Sequence, residues 1–207
     1  MKKGIKVSVL VPIFNQAKYI GRCLRSLISQ TFNRNLYEII VINDGSKDYT
    51  KHILSAFKEE LVIVEHKKTL GLPSALNSGI KKSKGEYFVR VDADDYVNNE
   101  YLKILYLFLS QNTYFDAVAC DYLRVDDNEK ILSRNNCLKK PIGCGIIFKK
   151  KQIKKIGLYN KNCLINEDKD LMMRFEKRYF IYRLPIPLYR YRDNPDSLTN
   201  KKIKKND

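Results

Sequence analysis

Residues 85–97 read GEYFVRVDADDYV, and this stretch decides how the rest of the chain is read. Tyr87, Phe88, Val89 and Val91 form a short apolar, β-rich run suited to a buried central strand, interrupted only by Arg90. The run ends abruptly in Asp92, Asp94 and Asp95. Apolar side chains draw such a strand into a core, while carboxylates must stay hydrated, paired or bound to a cation. The chain has 23 acidic residues against 39 basic ones, so this acidic cluster is no overflow of negative charge, and something positive should meet it. Asp92 and Asp94 are spaced by two, so in an extended segment they point the same way and can both reach one hard cation. An Asp-rich turn leading into a helix N-cap accounts for the same residues.

Upstream, residues 5–11 form a β run ending at Pro12, Phe14 and Asn15, and residues 17–28 place Ile20, Cys23, Leu24, Leu27 and Ile28 at helical spacing. Residues 37–42 are a second apolar strand, again ending in an acidic turn of Asn43, Asp44, Gly45 and Ser46. A helical stretch over 50–58 leads to a short strand over 61–64. This alternation predicts a parallel α/β sheet, in which ligands bind outside the carboxyl ends of the strands. Segments 12–15, 44–46 and 92–95 all fall there. Residues 71–79, GLPSALNSG, predict a short helix through Ala75, Leu76 and Ile80, with Gly71 and Gly79 allowing close backbone approach. Asn77 either faces the pocket or lies on a plain surface helix. There is no GxxxxGK[ST], and no GxGxxG follows the first strand, so ATP hydrolysis and dinucleotide redox chemistry lack their usual sequence support.

Downstream, residues 100–109 predict an amphipathic helix burying Leu102, Leu105, Tyr106 and Leu109. Residues 115–122 read as a strand and 125–134 as an edge hairpin or loop. Residues 141–148 read as a loop entering a strand, where Gly143 and Gly145 let a substrate approach the backbone, and 149–156 as a short basic helix. NEDKD at 166–170 precedes Leu171, Met172 and Phe175 at helical spacing; acids at a helix start suit its dipole, so capping explains one or two of them. Residues 179–191 alternate apolar and basic side chains around Pro185 and Pro187, and 200–207 form a charged end. No internal repeat or linker divides the chain, which is expected to be one domain over 1–207.

Composition agrees with a folded protein: 207 residues, 44% hydrophobic and 30% charged. No apolar stretch approaches the roughly 20 residues that span a bilayer. The run over 7–14 contains Pro12 and leads into Asn15 and Gln16, which reads as a first strand and not a signal peptide. Five widely spaced cysteines without metal-ligand pairing indicate free thiols in a reducing cytoplasm. The formal charge of +16 implies attraction to nucleic acid, an anionic membrane surface or a phosphate-bearing substrate. A nucleic-acid module is disfavoured, because the aromatics sit in strand-like apolar runs and do not interleave with the basic patches.

The ordered set VPIFN at 11–15, NDGS at 43–46 with Asp48, GLPSALNSG at 71–79, VDADD at 91–95 and NEDKD at 166–170 resembles the family 2 glycosyltransferases. These are inverting, nucleotide-sugar-dependent enzymes of the GT-A fold, and the resemblance runs from about Val7 to Thr199. It implies an α/β GT-A domain, the nucleotide-diphospho-sugar transferase fold, with a central mostly parallel sheet flanked by helices. The nucleotide-binding part would span about 1–97 and the acceptor and catalytic part about 98–199. The resemblance implies a UDP-sugar donor, with Pro12, Phe14 and Asn15 near the base and ribose, Asp44 on the base edge, and Ser46, Gly71 and Asn77 lining the nucleotide pocket. Asp92 would lie near the ribose and sugar, and Asp94, with Asp92, would hold the Mn²⁺ or Mg²⁺ that bridges the phosphates. Asp168 would be the catalytic base and Glu167 its helper.

One departure stands out. The family often carries a histidine in the basic segment after the acidic pair, whereas residues 190–197, RYRDNPDS, have none; His52 and His66 both lie upstream. Arg190 or Arg192 are candidates to neutralise the diphosphate, and Asp193 or Asn194 to replace the missing ligand, with a solvated basic tail as the alternative. The chain is short for the family and shows no C-terminal membrane helices, so single transfer to a glycan or lipid-linked acceptor is expected over processive synthesis. Lysines at 149–151, 154–155 and 201–205 suit peripheral docking on an anionic membrane face, and a homodimer is among the expected assemblies. A nucleotide-sugar-binding protein without turnover and a sugar-phosphate nucleotidyltransferase remain alternatives, the latter weakened by the missing Gly-rich first loop.

Overall fold

Hydrophobic runs that are covered on both faces make the centre of the sheet. Val7–Ile13 (β1) and Tyr37–Asn43 (β2) are buried at every position, as expected for parallel strands with helices on each side. A computed structural model describes residues 4–163 and 166–194. Leu61–Glu65 (β3) and Tyr87–Arg90 (β4) complete a parallel half-sheet in which Val9 lies opposite both Ile39 and Val89, and Val41 opposite Ile63. This half delivers the first motifs to one edge.

Beyond β4 the sheet becomes mixed. Tyr96–Val97 (β5), Ala117–Val125 (β6), Ile131–Asn135 (β7), Ile146–Lys149 (β8) and Ile181–Arg192 (β9) extend it in the order β3-β2-β1-β4-β8-β6-β9-β5, with β7 pairing β6. β8 runs antiparallel to both β4 and β6, and β6 runs parallel to β9. The segment expected as an edge hairpin or loop is therefore a hairpin. The β6–β9 register slips where Cys120 faces Leu184 but Asp121 faces Pro187, because Pro185 and Pro187 have no N–H to donate to the ladder. Two-residue β5 pairs with β9, a strand too short for any sequence period to mark.

Helices cover both faces. Ala17–Ile28 (α1) and Tyr101–Gln111 (α4) share one apolar cluster with Val9, Val89 and Val91. Leu72–Lys82 (α3) and Glu167–Glu176 (α6), with Lys150–Ile156 (α5), share the other with Leu10, Ile40 and Phe88. Thr50–Ser55 (α2) is shorter than the predicted 50–58 helix. Strand alternation puts Arg90 on the Phe88 side, toward α6. Cys23, Cys120, Cys137 and Cys144 are buried free thiols, and no helix among the described residues is long and apolar enough to cross a membrane.

Candidate active site at the carboxyl edge of the sheet

The loops after β1 and β2 are knitted together by their own side chains. Asn15 adopts φ 51°, a left-handed conformation that asparagine tolerates. Its backbone N–H donates to Ser46 Oγ at 3.0 Å and its Oδ1 accepts from Lys47 N at 2.8 Å. Asp48 accepts from Ala17 N, fixing the start of α1. Pro12 is buried inside β1, whereas Phe14 is 45% exposed at the rim.

Asp44 is buried. Its Oδ1 accepts from Leu70 N at 2.9 Å and lies 2.6 Å from His66 Nδ1, while Oδ2 accepts from Gly71 N at 2.9 Å. Gly71 has φ 87°, which favours glycine at this point. Asp44 thus ties the end of β2 to the entrance of α3, and a carboxylate oxygen with one partner retains capacity for another. His66 also meets Ser78 Oγ at 3.0 Å; its part in this knot was not evident from its place in the sequence.

Asn77 departs from the expected pocket lining. It is 4% exposed; its Nδ2 donates to Tyr159 O at 2.8 Å and its Oδ1 accepts from Tyr159 N at 3.0 Å. The amide satisfies a buried peptide and fastens α3 to the segment between α5 and α6.

The acidic tip meets its positive partner from within its own strand. Arg90 donates from Nε and Nη2 to Asp92 Oδ1 and Oδ2 at 2.6 and 3.1 Å, and from Nη1 to Glu167 Oε1 at 3.1 Å. Glu167 and Asp168 open α6. Gly143 closes the group: a Cβ there would lie 2.9 Å from Arg90 Nη1 and 2.9 Å from Asp168 Cβ. The two acidic motifs, distant in sequence, thereby share one site. The signal for Arg90 was the lone charge in an apolar strand.

Asp94 Oδ2 accepts from Asn194 Nδ2 at 2.9 Å, and burial together with the neighbouring Asp92 holds the Asp94 carboxyl above the usual carboxylate range. Asp95 is 2% exposed and serves as a clamp: Oδ1 accepts from Arg192 N and Oδ2 from Tyr189 OH, both at 2.7 Å. Burial, then Asp94 and Asp92, push its carboxyl well up.

The two arginines expected at a diphosphate are turned to other partners. Arg192 is 5% exposed and donates to the carbonyls of Asp94, Asp126 and Asp127, so its fork braces the acid loop from behind. Arg190 Nη1 donates to Pro187 O at 2.7 Å. Asp193 pairs with Arg124 at 2.7 Å, and Asn194 is the side chain among the described residues of that segment that meets the Asp94 carboxylate.

Ligand atoms of Asp92, Asp95 and Cys144 lie within 4.8 Å of one another. Burial and then the charges of Asp92 and Asp95 push the Cys144 thiol well up, so it stays protonated, and Asp95 is occupied by Tyr189 and Arg192. Hard divalent cations prefer oxygen donors. Within this group Asp92, half-buried and held by the Arg90 fork, offers the kind of oxygen donors such a cation takes, with Cys144 as a neighbour.

Residues 8–179 match the family model described as Glycosyl transferase family 2. The chain belongs to glycosyl transferase family 2. An uncharacterized glycosyltransferase of Rickettsia typhi is 31% identical over 194 residues, covering 85% of this chain and 60% of that protein. The poly(ribitol-phosphate) beta-glucosyltransferase of Bacillus spizizenii is 39% identical over 112 residues, covering 52% of this family 2 chain and 18% of that protein. Among solved structures, S. aureus TarS 1–349 in complex with UDP-GlcNAc gives a TM-score of 0.79 at 23% identity, covering 93% of this chain and 60% of that one. The mannosyltransferase PcManGT of Pyrobaculum calidifontis, in complex with GDP-Man and Mn2+, gives 0.76 at 18% identity, covering 98% and 61%. These likenesses establish the GT-A fold for this family 2 member, which spans less than two thirds of each of these proteins.

Proposed function

We propose that this chain transfers a sugar from a nucleotide diphosphate sugar, UDP-linked, to a hydroxyl of a glycan or lipid-linked acceptor, with inversion and with Mn²⁺ or Mg²⁺. The observation that carries this reading is the meeting of Asp92 with Glu167 and Asp168 through Arg90, on the edge formed by the β1 and β2 loops. UDP-GlcNAc bound to TarS and GDP-Man with Mn2+ bound to PcManGT support the donor class.

In this reading the loops around Pro12, Phe14, Asn15, Asp44, Ser46 and Gly71 hold the nucleoside, within residues 1–97, and residues 98–199 supply the acceptor side. Asp92 and Asp94 hold the divalent ion, which when bound neutralises charge developing on the diphosphate. Asp168 accepts the proton of the attacking hydroxyl, and Glu167, held by Arg90, keeps the first turn of α6 in place. A carboxylate is a weak base, so proton transfer comes late in the displacement. Peripheral contact with an anionic membrane is supported by Lys151, Lys154, Lys155, Lys177 and Arg178, cations of α5 and the end of α6 that line two shallow depressions. Lys149 pairs with Tyr87 at the start of β4, so docking there leaves the acidic edge open to the aqueous side of a cytoplasmic enzyme. Sedimentation with liposomes at physiological salt tests it: equal binding to neutral and anionic vesicles rejects the contact.

The central test is a donor-hydrolysis screen of nucleotide sugars with Mn²⁺ or Mg²⁺. Asp168→Asn is expected to lower turnover by about 10²–10⁴-fold, the usual contribution of a positioned base, with UDP affinity retained, and Asp94→Ala to abolish metal-dependent UDP binding. Unchanged turnover in both variants rejects the assignment. Metal-dependent UDP binding without hydrolysis or transfer of any donor would favour a binding protein instead.

A further inference from the structure

Arg90 is left without a role by the motifs. Its side chain is 9% exposed in a strand whose other members are apolar, and burying a guanidinium costs several kcal/mol unless its donors are matched. They are matched here by two elements: a bidentate grip on Asp92, two residues away, and a single bond to Glu167, 77 positions away. A bidentate fork fixes the plane of the carboxylate it holds. Among the described residues, β4 and the loop to Asp95 share no backbone hydrogen bond with α6, so this guanidinium is a direct polar tie between them. Both Arg90 and Asp168 lie beside Gly143, where an added Cβ would approach each to 2.9 Å.

We propose that Arg90 is a positioning residue that sets the separation and orientation of Asp92, on the donor side, relative to the first turn of α6, which carries Asp168. This rests on the transferase reading above and deepens it. Stability alone is a poor account of the arrangement, because an apolar side chain of similar volume generally stabilises a buried site at least as well as an ion pair. A fork shared between two carboxylates instead fixes an angle, as the partners behind metal ligands do.

The test uses the full chain with Arg90→Met, Arg90→Lys and Glu167→Gln. Hydrogen exchange of the ligand-free protein is read over residues 167–171 and, as a control, over β1 and β2. In Arg90→Met, exchange in the first turn of α6 is expected to rise about tenfold or more while β1 and β2 stay unchanged. With the donor identified by the screen, kcat is expected to fall about 10–100-fold, the range for losing a partner behind a ligand, with KM moving less than about threefold. Where Arg90→Met does not fold, Arg90→Lys combined with Glu167→Gln replaces it: a double variant no slower than either single one supports the tie, and additive losses overturn it. Unchanged exchange in a folded Arg90→Met protein, or a kcat within about threefold of the parent, overturns the proposal. A parent protein that turns over no donor rejects the transferase reading, and the exchange measurement then decides Arg90 by itself.

Discussion

Asn194 donates its side-chain amide to Asp94 Oδ2 across 2.9 Å, joining the residue just past β9 to the acid loop that follows β4. Partners that orient a metal-binding carboxylate typically contribute 10–100-fold to metal affinity. Asn194→Ala is therefore expected to weaken Mn²⁺ binding to the UDP-loaded protein by about 10–100-fold. Asn194→His, which restores a donor nitrogen at this place, should stay within about threefold of the parent. Calorimetric titration of Mn²⁺ separates these outcomes, and equal affinities for parent and Asn194→Ala would remove Asn194 from the site.

Gly143 lies beside both Arg90 and Asp168. The Cβ of Gly143→Ala would meet Arg90 Nη1 and Asp168 Cβ at 2.9 Å and Asp168 Oδ2 at 3.1 Å, so one of them must move. Overpacking of this kind costs about 1–3 kcal/mol, and a displacement near 1 Å can slow a reaction about a hundredfold. Gly143→Ala should thus lower the melting temperature and depress kcat, whereas Gly4→Ala, with nothing within 4 Å of its Cβ, should do neither. Parallel thermal scans and rate measurements check both.

The parts legible in the sequence were those with strong local periodicity. Helix α1 runs from Ala17 to Ile28 as its spacing predicts, and β1, β2 and β4 lie within a residue or two of their apolar runs. Long-range pairing was not legible. Arg90 reads as an interruption until Glu167 is brought beside it, and His66 reads as an ordinary loop residue until Asp44 is seen between it and the α3 entrance. Asn77 misled because helical position alone does not say which face is covered: Tyr159 covers it. Strand β5 is two residues long, too short for any periodicity to mark.

Four of the five thiols should be silent in the native protein. Cys23, Cys120 and Cys144 are at most 2% exposed and Cys137 is 7% exposed; burial raises all four, with Cys137 pushed up to about 12. Because the thiolate is the reactive form, a disulfide reagent at neutral pH should label Cys23, Cys120, Cys137 and Cys144 only in denaturant. Fast labelling of any of these four in the native protein would contradict the packing around it.

Asp121 predicts how stability depends on acid. Its side chain is 1% exposed; Arg183 grips it at 2.9 and 2.6 Å, Cys137 N donates at 3.2 Å and Arg134 lies 3.6 Å away. Burial by itself would raise this carboxyl, but the Arg183 pair, the Cys137 amide and Arg134 outweigh it and hold it below the usual range. A depressed folded pKa means the unfolded chain takes up the proton first. The stabilisation is complete above the ordinary aspartate value of about 3.9 and is lost as pH falls through the lower folded value. Asp121→Asn leaves Arg183 without its carboxylate and is expected to cost about 1.5–3 kcal/mol at pH 7, the range for hydrogen bonds to charged groups. Urea midpoints measured from about pH 7 down to pH 3 should converge for parent and variant, since only the parent loses this contribution in acid. Curves that stay parallel through that window would mean that Asp121 titrates alike in the folded and unfolded chains, and that the Arg183 pair does not hold its charge.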